Sequence, residues 1–161
     1  MSGEFGEFGS IVSTTQTTVD VLTADGMSLT LSFDPGDYIF SRVYNLTITT
    51  ELRPEVALPE VKLSHRRSGG SQFVPIEGEH SAGVEMLNLV AAPHIAQIDI
   101  HSPQIQRDEN GYRFTVTPLG GAFVWVLIPP VFKATAFPPG EPERILDLIR
   151  AVSGIRPATI T

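Results

Sequence analysis

Two segments of this chain alternate strictly between apolar and polar residues, and this period of two constrains the fold more than any other feature. Residues 28–33 (SLTLSF) and 112–117 (YRFTVT) place an apolar side chain at every second position. Because successive side chains of a strand point to opposite faces, each segment predicts a strand with one buried and one wet face. Strands of this kind are typical of antiparallel sheets that pack on one side only.

Further strand-like segments follow one another along the chain and are separated by turn signals. Strands are predicted at residues 19–23, 38–50, 61–64, 72–76, 95–101, 122–128 and 131–137. Turns are predicted at ADGM (24–27), DPGD (34–37) and DENG (108–111), and the paired glycines 120–121 indicate a turn or a bulge.

Two segments carry helical periodicity instead. Residues 81–92 repeat apolar positions near every third residue and stop before Pro93, which predicts a short middle helix. Residues 145–152 place apolar side chains at i, i+3, i+4 and i+7, which predicts an amphipathic helix near the C-terminus. Gly154 is placed to end this helix in the left-handed conformation. Because the helix is short, we expect its apolar side to dock on the sheet.

These elements together predict an α+β domain. We expect an antiparallel-rich curved sheet or half-barrel with a short middle helix and a C-terminal amphipathic helix, and a β-sandwich is the alternative. A length of 161 residues fits one domain, which we assign to residues 11–161. Residues 1–10 (MSGEFGEFGS) predict a flexible leader, because the Gly-Glu-Phe repeat and Gly-Ser end are typical of a cloning remnant.

Composition excludes several functions. The net charge of −7 makes the chain acidic and disfavours nucleic acid and anionic membrane surfaces as partners. The absence of cysteine excludes disulfides, thiol catalysis and thiolate metal sites. A cysteine-free chain without a secretory signal suits the cytoplasm, which is the location we expect.

The apolar stretch GAFVWVLIPPVF (121–132) is the feature of most functional interest. Its seven apolar residues before Pro129 are too few for a membrane helix, which needs about 20, so they predict a strand. This strand is either a core strand filled by the lone tryptophan or the wall of an apolar pocket under the C-terminal helix. The candidate ligand-binding residues of that pocket are Phe114, Val116, Phe123, Trp125 and Phe132.

The two prolines that follow the strand predict a second use of the same region. Pro129 and Pro130 lack a backbone N–H, so the strand must leave the sheet or reach its edge there. An apolar rim that also includes Phe132, Phe137 and Pro138 would be exposed and would contact a protein partner or a second copy.

The only concentrated positive charge lies in SHRRSGG (64–70). Its His65, Arg66 and Arg67 are candidate anion-binding residues, because guanidinium groups match carboxylate or phosphate and glycines let backbone N–H groups approach an anion. The alternative is a solvated hairpin loop. Nothing in this segment matches a phosphate-binding loop.

The four histidines do not have metal-ligand spacing, so we predict no metal site, and no cofactor motif is present. Asp99 with His101, or His65 with a carboxylate, would serve as an acid–base pair only if the side chains converged in a cleft. We assign no catalytic residue. Three hypotheses remain: a non-catalytic interaction or assembly module, a carrier or sensor of a small apolar ligand held between sheet and C-terminal helix, and an enzyme using a His/carboxylate pair. The first is favoured.

Overall fold

The computed structural model describes residues 9–38, 41–52, 57–66, 70–79, 81–127 and 130–155. These residues form ten strands and two helices: β1 Gly9–Thr14, β2 Thr18–Thr23, β3 Ser28–Tyr38, β4 Ser41–Leu52, β5 Val61–Arg66, β6 Gly70–Pro75, α1 Ala82–Ile95, β7 Gln104–Asp108, β8 Gly111–Val116, β9 Phe123–Leu127, β10 Pro130–Ala134 and α2 Glu141–Ser153. The leader predicted for residues 1–10 falls mostly outside the described residues, and its last two residues begin β1.

All ten strands belong to one antiparallel sheet. Eight of them follow the order β1-β2-β3-β4-β8-β7-β5-β6, and β9 and β10 lie off this path. The long strand β4 pairs with two different strands along one of its edges. Its C-terminal half, from Ile48 to Leu52, pairs with β8, and its N-terminal end, from Ser41 to Tyr44, pairs with β9. β10 lies outside β9. The strands β9 and β10 therefore form an extension beside the main sheet.

Both helices cover the same apolar face of the main sheet. The alternating positions Leu29 and Leu31 of β3 are buried, and they join one core with Ile145, Leu148 and the other apolar residues of α2. α1 packs against α2 and β6. The structure thus confirms the α+β fold with an antiparallel sheet and a C-terminal amphipathic helix. The alternative β-sandwich is wrong, because the described strands form one sheet.

The segment DPGD (34–37) is not the turn that the sequence predicts, because β3 continues through it. The N–H of Phe33 donates to the carbonyl of Thr17 at 3.1 Å, on the side of β2. Pro35, two residues further on, faces the same side, where the pairing with β2 has already ended at Ser32. The missing N–H of the proline therefore costs no ladder hydrogen bond, and β3 can continue.

Two predictions for the middle of the chain are also wrong. α1 does not stop before Pro93 but continues to Ile95, because Ala91 and Ile95 are buried, and burial outweighs the hydrogen bond that proline removes. The strand predicted at residues 95–101 is reduced to an isolated bridge between Ile100 and Pro118.

The left-handed glycine of α2 is at its N-terminal end and not at its C-terminal end. Gly154 has a φ of −85°, so the predicted left-handed C-cap is wrong, although its N–H still donates to the carbonyl of Arg150 at 2.9 Å. Gly140, before the first turn, has a φ of +75°. No helix among the described residues has the length and apolar character needed to cross a membrane.

Candidate functional site

Three aromatic side chains share one face of the β9–β10 extension, and Tyr44 of the neighbouring strand β4 lies beside them. Phe123 is stacked on Tyr44 of β4, with ring centroids 4.5 Å apart, and lies 5.4 Å from the ring of Phe132. Phe132 stands directly opposite Trp125 in the β9–β10 register. Trp125 is 47% exposed and Phe132 is 66% exposed. We call Tyr44, Phe123, Trp125 and Phe132 the aromatic surface.

A bulge at Gly121 starts the extension. The N–H of Gly121 donates to the carbonyl of Thr135 at 2.8 Å, and the N–H of Thr135 donates to the carbonyl of Ala122 at 2.8 Å. Two residues thus face one, and the first has a φ of +75°, which is the pattern of a G1 β-bulge. The positive φ favours glycine at position 121, and a Cβ there would lie 2.8 Å from the Cδ2 of Leu46, which would have to move. The bulge confirms one of the two predictions for the paired glycines.

The bulge also determines which backbone groups of β10 face outward. Thr135 directs its N–H and carbonyl toward the β9 side. Since this direction alternates along a strand, Pro130, Phe132 and Ala134 direct theirs away from β9. Pro130 has a carbonyl only, so the ladder with β9 loses no donor. In the described part of the chain, no strand pairs with the outer edge of β10.

The structure does not bring the five candidate pocket residues together. Phe114 and Val116 are fully buried in the core of the main sheet. Phe123, Trp125 and Phe132 lie on the extension instead, because β9 pairs with the other end of β4. The expected pocket would need both groups around one void, and Phe114 and Val116 already fill part of a packed core.

A separate cleft of about 340 Å³ is lined by His65, Ser71, Asp99 and His101 together with apolar side chains. His65 and Ser71 are cross-strand neighbours in the β5–β6 hairpin, and the His65 Nδ1 lies 2.8 Å from the Ser71 Oγ. The His65 Nε2 lies 3.3 Å from the carbonyl oxygen of His101. We call this the histidine cleft. It brings together three residues that the sequence marks as acid–base candidates, namely His65, Asp99 and His101.

The other two candidate anion-binding residues cannot be placed beside His65. Arg67 lies outside the described residues, and only the backbone of Arg66 is described. His65 itself is exposed, and its imidazole contacts a hydroxyl and a carbonyl. The anion site therefore stays a prediction.

Behind the histidine cleft, Glu141 is a buried carboxyl group at the start of α2. Its Oε1 accepts a hydrogen bond from the N–H of Asp99 at 3.1 Å, and its Oε2 is buried without a hydrogen-bond partner among the described residues. Burial raises the pKa of Glu141 above its ordinary value, and the Asp99 N–H opposes this shift. Glu141 therefore anchors the segment that carries Asp99 and His101.

A groove of about 1080 Å³ lies between the β2–β3 turn, β4 and the end of α2. Its main electrostatic feature is Arg150, whose Nε donates to Asp25 at 2.7 Å and whose Nη1 donates to Asp147 at 3.1 Å. A hydrogen bond from Thr23 and the Arg150 guanidinium lower the pKa of Asp25. Because Arg150 of α2 donates to Asp25 of the β2–β3 turn, we assign the groove a structural role, which is to tie α2 to that turn.

No group of three or more histidine, aspartate or glutamate side chains that could hold a metal ion occurs in the part of the chain that the structure describes. Sequence reasoning missed two residues of the histidine cleft region. Ser71 is signalled only by hairpin register, which places residue 71 opposite residue 65. Glu141 has no sequence signal, since a glutamate in a first helical turn is usually solvated.

Comparison with known proteins finds one matching family profile. The profile described as a protein of unknown function (DUF3156) matches residues 3–155. No curated protein matches the chain, and no solved structure matches it.

Proposed function

The chain belongs to the DUF3156 family of proteins of unknown function, and we propose that it is an assembly module, in which the outer edge of β10 pairs with the same edge of a second copy. The observation that carries this proposal is Phe132, which is 66% exposed at the centre of that edge. An unpaired strand edge that carries exposed apolar residues is a template for pairing with another chain.

The backbone pattern of β10 supports a second copy as the occupant. If two antiparallel β10 strands meet with Phe132 at the two-fold axis, each Phe132 N–H donates to the Phe132 carbonyl of the other copy. The Ala134 N–H then donates to the carbonyl that Pro130 directs outward. Every outward N–H of β10 then has an acceptor. The outward carbonyl of Ala134 alone lacks a donor, because it lies opposite Pro130, which has no N–H. Self-complementarity of one patch is the requirement for a two-fold interface.

The side chains support the same arrangement. Phe132 and Trp125 are on one face because they are directly opposite in the register. Pairing about Phe132 brings the two phenylalanines side by side and places one tryptophan on each flank. Aromatic side chains of this kind supply much of the binding energy at protein interfaces.

Lysine on an edge strand is a common device against unwanted pairing, so Lys133 has to be accommodated. In the proposed register Lys133 of one copy lies opposite Val131 of the other. The two ammonium groups are therefore not opposed, and the aliphatic stem of lysine can cover valine while its charge stays in water. A register centred on Lys133 would place the two lysines directly opposite each other, and this repulsion favours the register centred on Phe132.

Sedimentation velocity over a range of concentrations tests this proposal. We expect the wild type to dimerise and Phe132→Asp to weaken the dimer by at least about 30-fold, because the loss of an interface hot spot costs about 2 kcal/mol. Val12→Asp is the matched control, since Val12 is 67% exposed on the opposite edge strand β1. We expect this variant to dimerise like the wild type.

Two results would contradict the proposal. One is a wild-type chain that remains monomeric throughout the concentration range. The other is a dimer that Val12→Asp disrupts and Phe132→Asp does not, which would assign the assembly to β1.

A further inference from the structure

The hydrogen bonds of His65 determine which of its ring nitrogens carries the proton. A carbonyl oxygen can only accept, so the contact from Nε2 to the His101 carbonyl at 3.3 Å requires a proton on Nε2. Neutral imidazole has one N–H, so Nδ1 is then an acceptor. Its neighbour at 2.8 Å is the Ser71 hydroxyl, which donates to it. A serine that donates to a neutral imidazole held by a third group is the arrangement of an activated nucleophile.

The walls of the histidine cleft indicate what it would accept. Ile98 and Ile100 are buried and form apolar lining, and Leu119 adds a third aliphatic side chain. The volume of about 340 Å³ is at the small end of ligand sites in proteins. Polar groups and apolar lining in a small cleft suit a short acyl group whose reactive carbonyl reaches Ser71.

We propose that the histidine cleft hydrolyses small esters with a short apolar acyl group, with Ser71 as the nucleophile and His65 as the general base. The Ser71 Oγ bonds to the ester carbonyl carbon while its proton passes to the His65 Nδ1. The bond from that carbon to the alcohol oxygen breaks, and the alcohol leaves with the proton from Nδ1. Water, deprotonated by Nδ1, then attacks the acyl-serine, which releases the carboxylic acid and restores Ser71.

Glu141 is a positioning residue for this site. The His101 carbonyl orients His65, and three hydrogen bonds hold the segment that carries it. The Asp99 N–H donates to Glu141 at 3.1 Å, the His101 N–H donates to the Thr117 carbonyl at 2.8 Å, and the Leu119 N–H donates to the Asp99 carbonyl at 2.9 Å. Without Glu141 the Asp99 N–H loses its acceptor, and the His101 carbonyl is less precisely placed for the Nε2 proton. Glutamine keeps an acceptor oxygen at this position, and alanine does not.

The group that orients His65 is the backbone carbonyl of His101 and not a carboxylate. A carbonyl stabilises the protonated imidazole less than an aspartate does, because it carries no full charge. We therefore expect turnover slower than that of enzymes with a complete triad, although it stays dependent on both side chains.

Hydrolysis of p-nitrophenyl acetate by the full chain and labelling by a fluorophosphonate, located by peptide mass spectrometry, test the proposal. We expect hydrolysis that falls at least about 100-fold in Ser71→Ala and in His65→Gln, which is the usual contribution of a general base. Ser102→Ala and His94→Gln are matched controls, since both residues lie outside the cleft lining, and they should retain wild-type rates. The label should be found on Ser71.

Glu141→Gln should retain most of the hydrolysis and Glu141→Ala should lose it, so rescue by the conservative variant separates positioning from simple loss of fold. Circular dichroism of each variant checks that it is folded, and labelling of the wild type needs no variant at all. Absence of both turnover and labelling in the wild type, a label on a serine other than Ser71, or full activity in folded Ser71→Ala each overturns the proposal.

Discussion

The carboxyl group of Glu141 accepts a hydrogen bond from the backbone N–H of Asp99 across 3.1 Å, and Glu141 is only 2% exposed. Burial raises the pKa of this carboxyl group, so the folded chain keeps the proton of Glu141 to a higher pH than the unfolded chain does. In the window above the ordinary pKa of 4.5 and up to the raised value, the folded state binds more protons. The free energy of unfolding therefore falls as pH rises through this window.

The first expectation concerns Glu141→Gln, which cannot ionise. Relative to the wild type, its free energy of unfolding should become larger as pH rises from 4.5 to 8, which means that the variant becomes the relatively more stable chain; denaturant titration at each pH measures this. Glu143→Gln is the matched control, because Glu143 lies in the same helical turn and is exposed. Glu141→Ala leaves the Asp99 N–H without its acceptor, which costs about 1–3 kcal/mol. A difference between Glu141→Gln and the wild type that does not change with pH would contradict the buried carboxyl.

A second expectation concerns the bulge at Gly121. Gly121→Ala combines a φ of +75° with a Cβ that would lie 2.8 Å from Leu46 and from Phe137. Gly26→Ala has a similar φ of +83° but open space around the new Cβ. Left-handed backbone costs both variants about 1–2 kcal/mol, and overpacking adds about 1–3 kcal/mol at Gly121 alone. Thermal and denaturant unfolding should therefore show a larger loss for Gly121→Ala, and equal losses would argue against the bulge.

A third expectation separates the core from the aromatic surface. Phe114→Ala should lower the free energy of unfolding by about 3–5 kcal/mol, because Phe114 is fully buried among apolar neighbours. Trp125→Ala should cost about 1 kcal/mol or less, since nearly half of the tryptophan is already in water. Similar losses in the two variants would mean that Trp125 is a core residue, as the core-strand alternative for the apolar stretch predicts.

The alternation of residues 28–33 and 112–117 is enough to predict the strands β3 and β8 and which of their faces is buried, because local side-chain direction in a strand follows from sequence alone. The helix at residues 145–152 is predictable for the same reason. The failure at Pro35 has a different origin. Whether a proline breaks a strand depends on whether a neighbouring strand needs its N–H, and the sequence does not say where β2 ends.

The placement of the candidate pocket residues depends on a similar non-local step. Phe114 and Phe123 are nine positions apart and both belong to strands beside β4, yet they pair with opposite ends of it. The branching of the sheet at β4 separates the two groups, and strand order is a property of long-range pairing. The histidine cleft was only partly predictable, because His65 and Asp99 meet through the fold and Glu141 looks like any solvated first-turn glutamate.

Cysteine cross-linking tests the proposed two-fold pairing of β10 most directly, because the chain has no cysteine of its own. In the proposed register, residue 131 of one copy faces residue 133 of the other in a non-hydrogen-bonded pair, about 4.5 Å apart at Cα and within disulfide range. Residue 131 and its own equivalent are offset by two positions, on the order of 8 Å apart, which is too far. We expect a mixture of Val131→Cys and Lys133→Cys chains to form disulfide-linked dimers under mild oxidation, and each variant alone to form few. Equal cross-linking of the separate variants and the mixture, or none in any sample, would contradict the pairing.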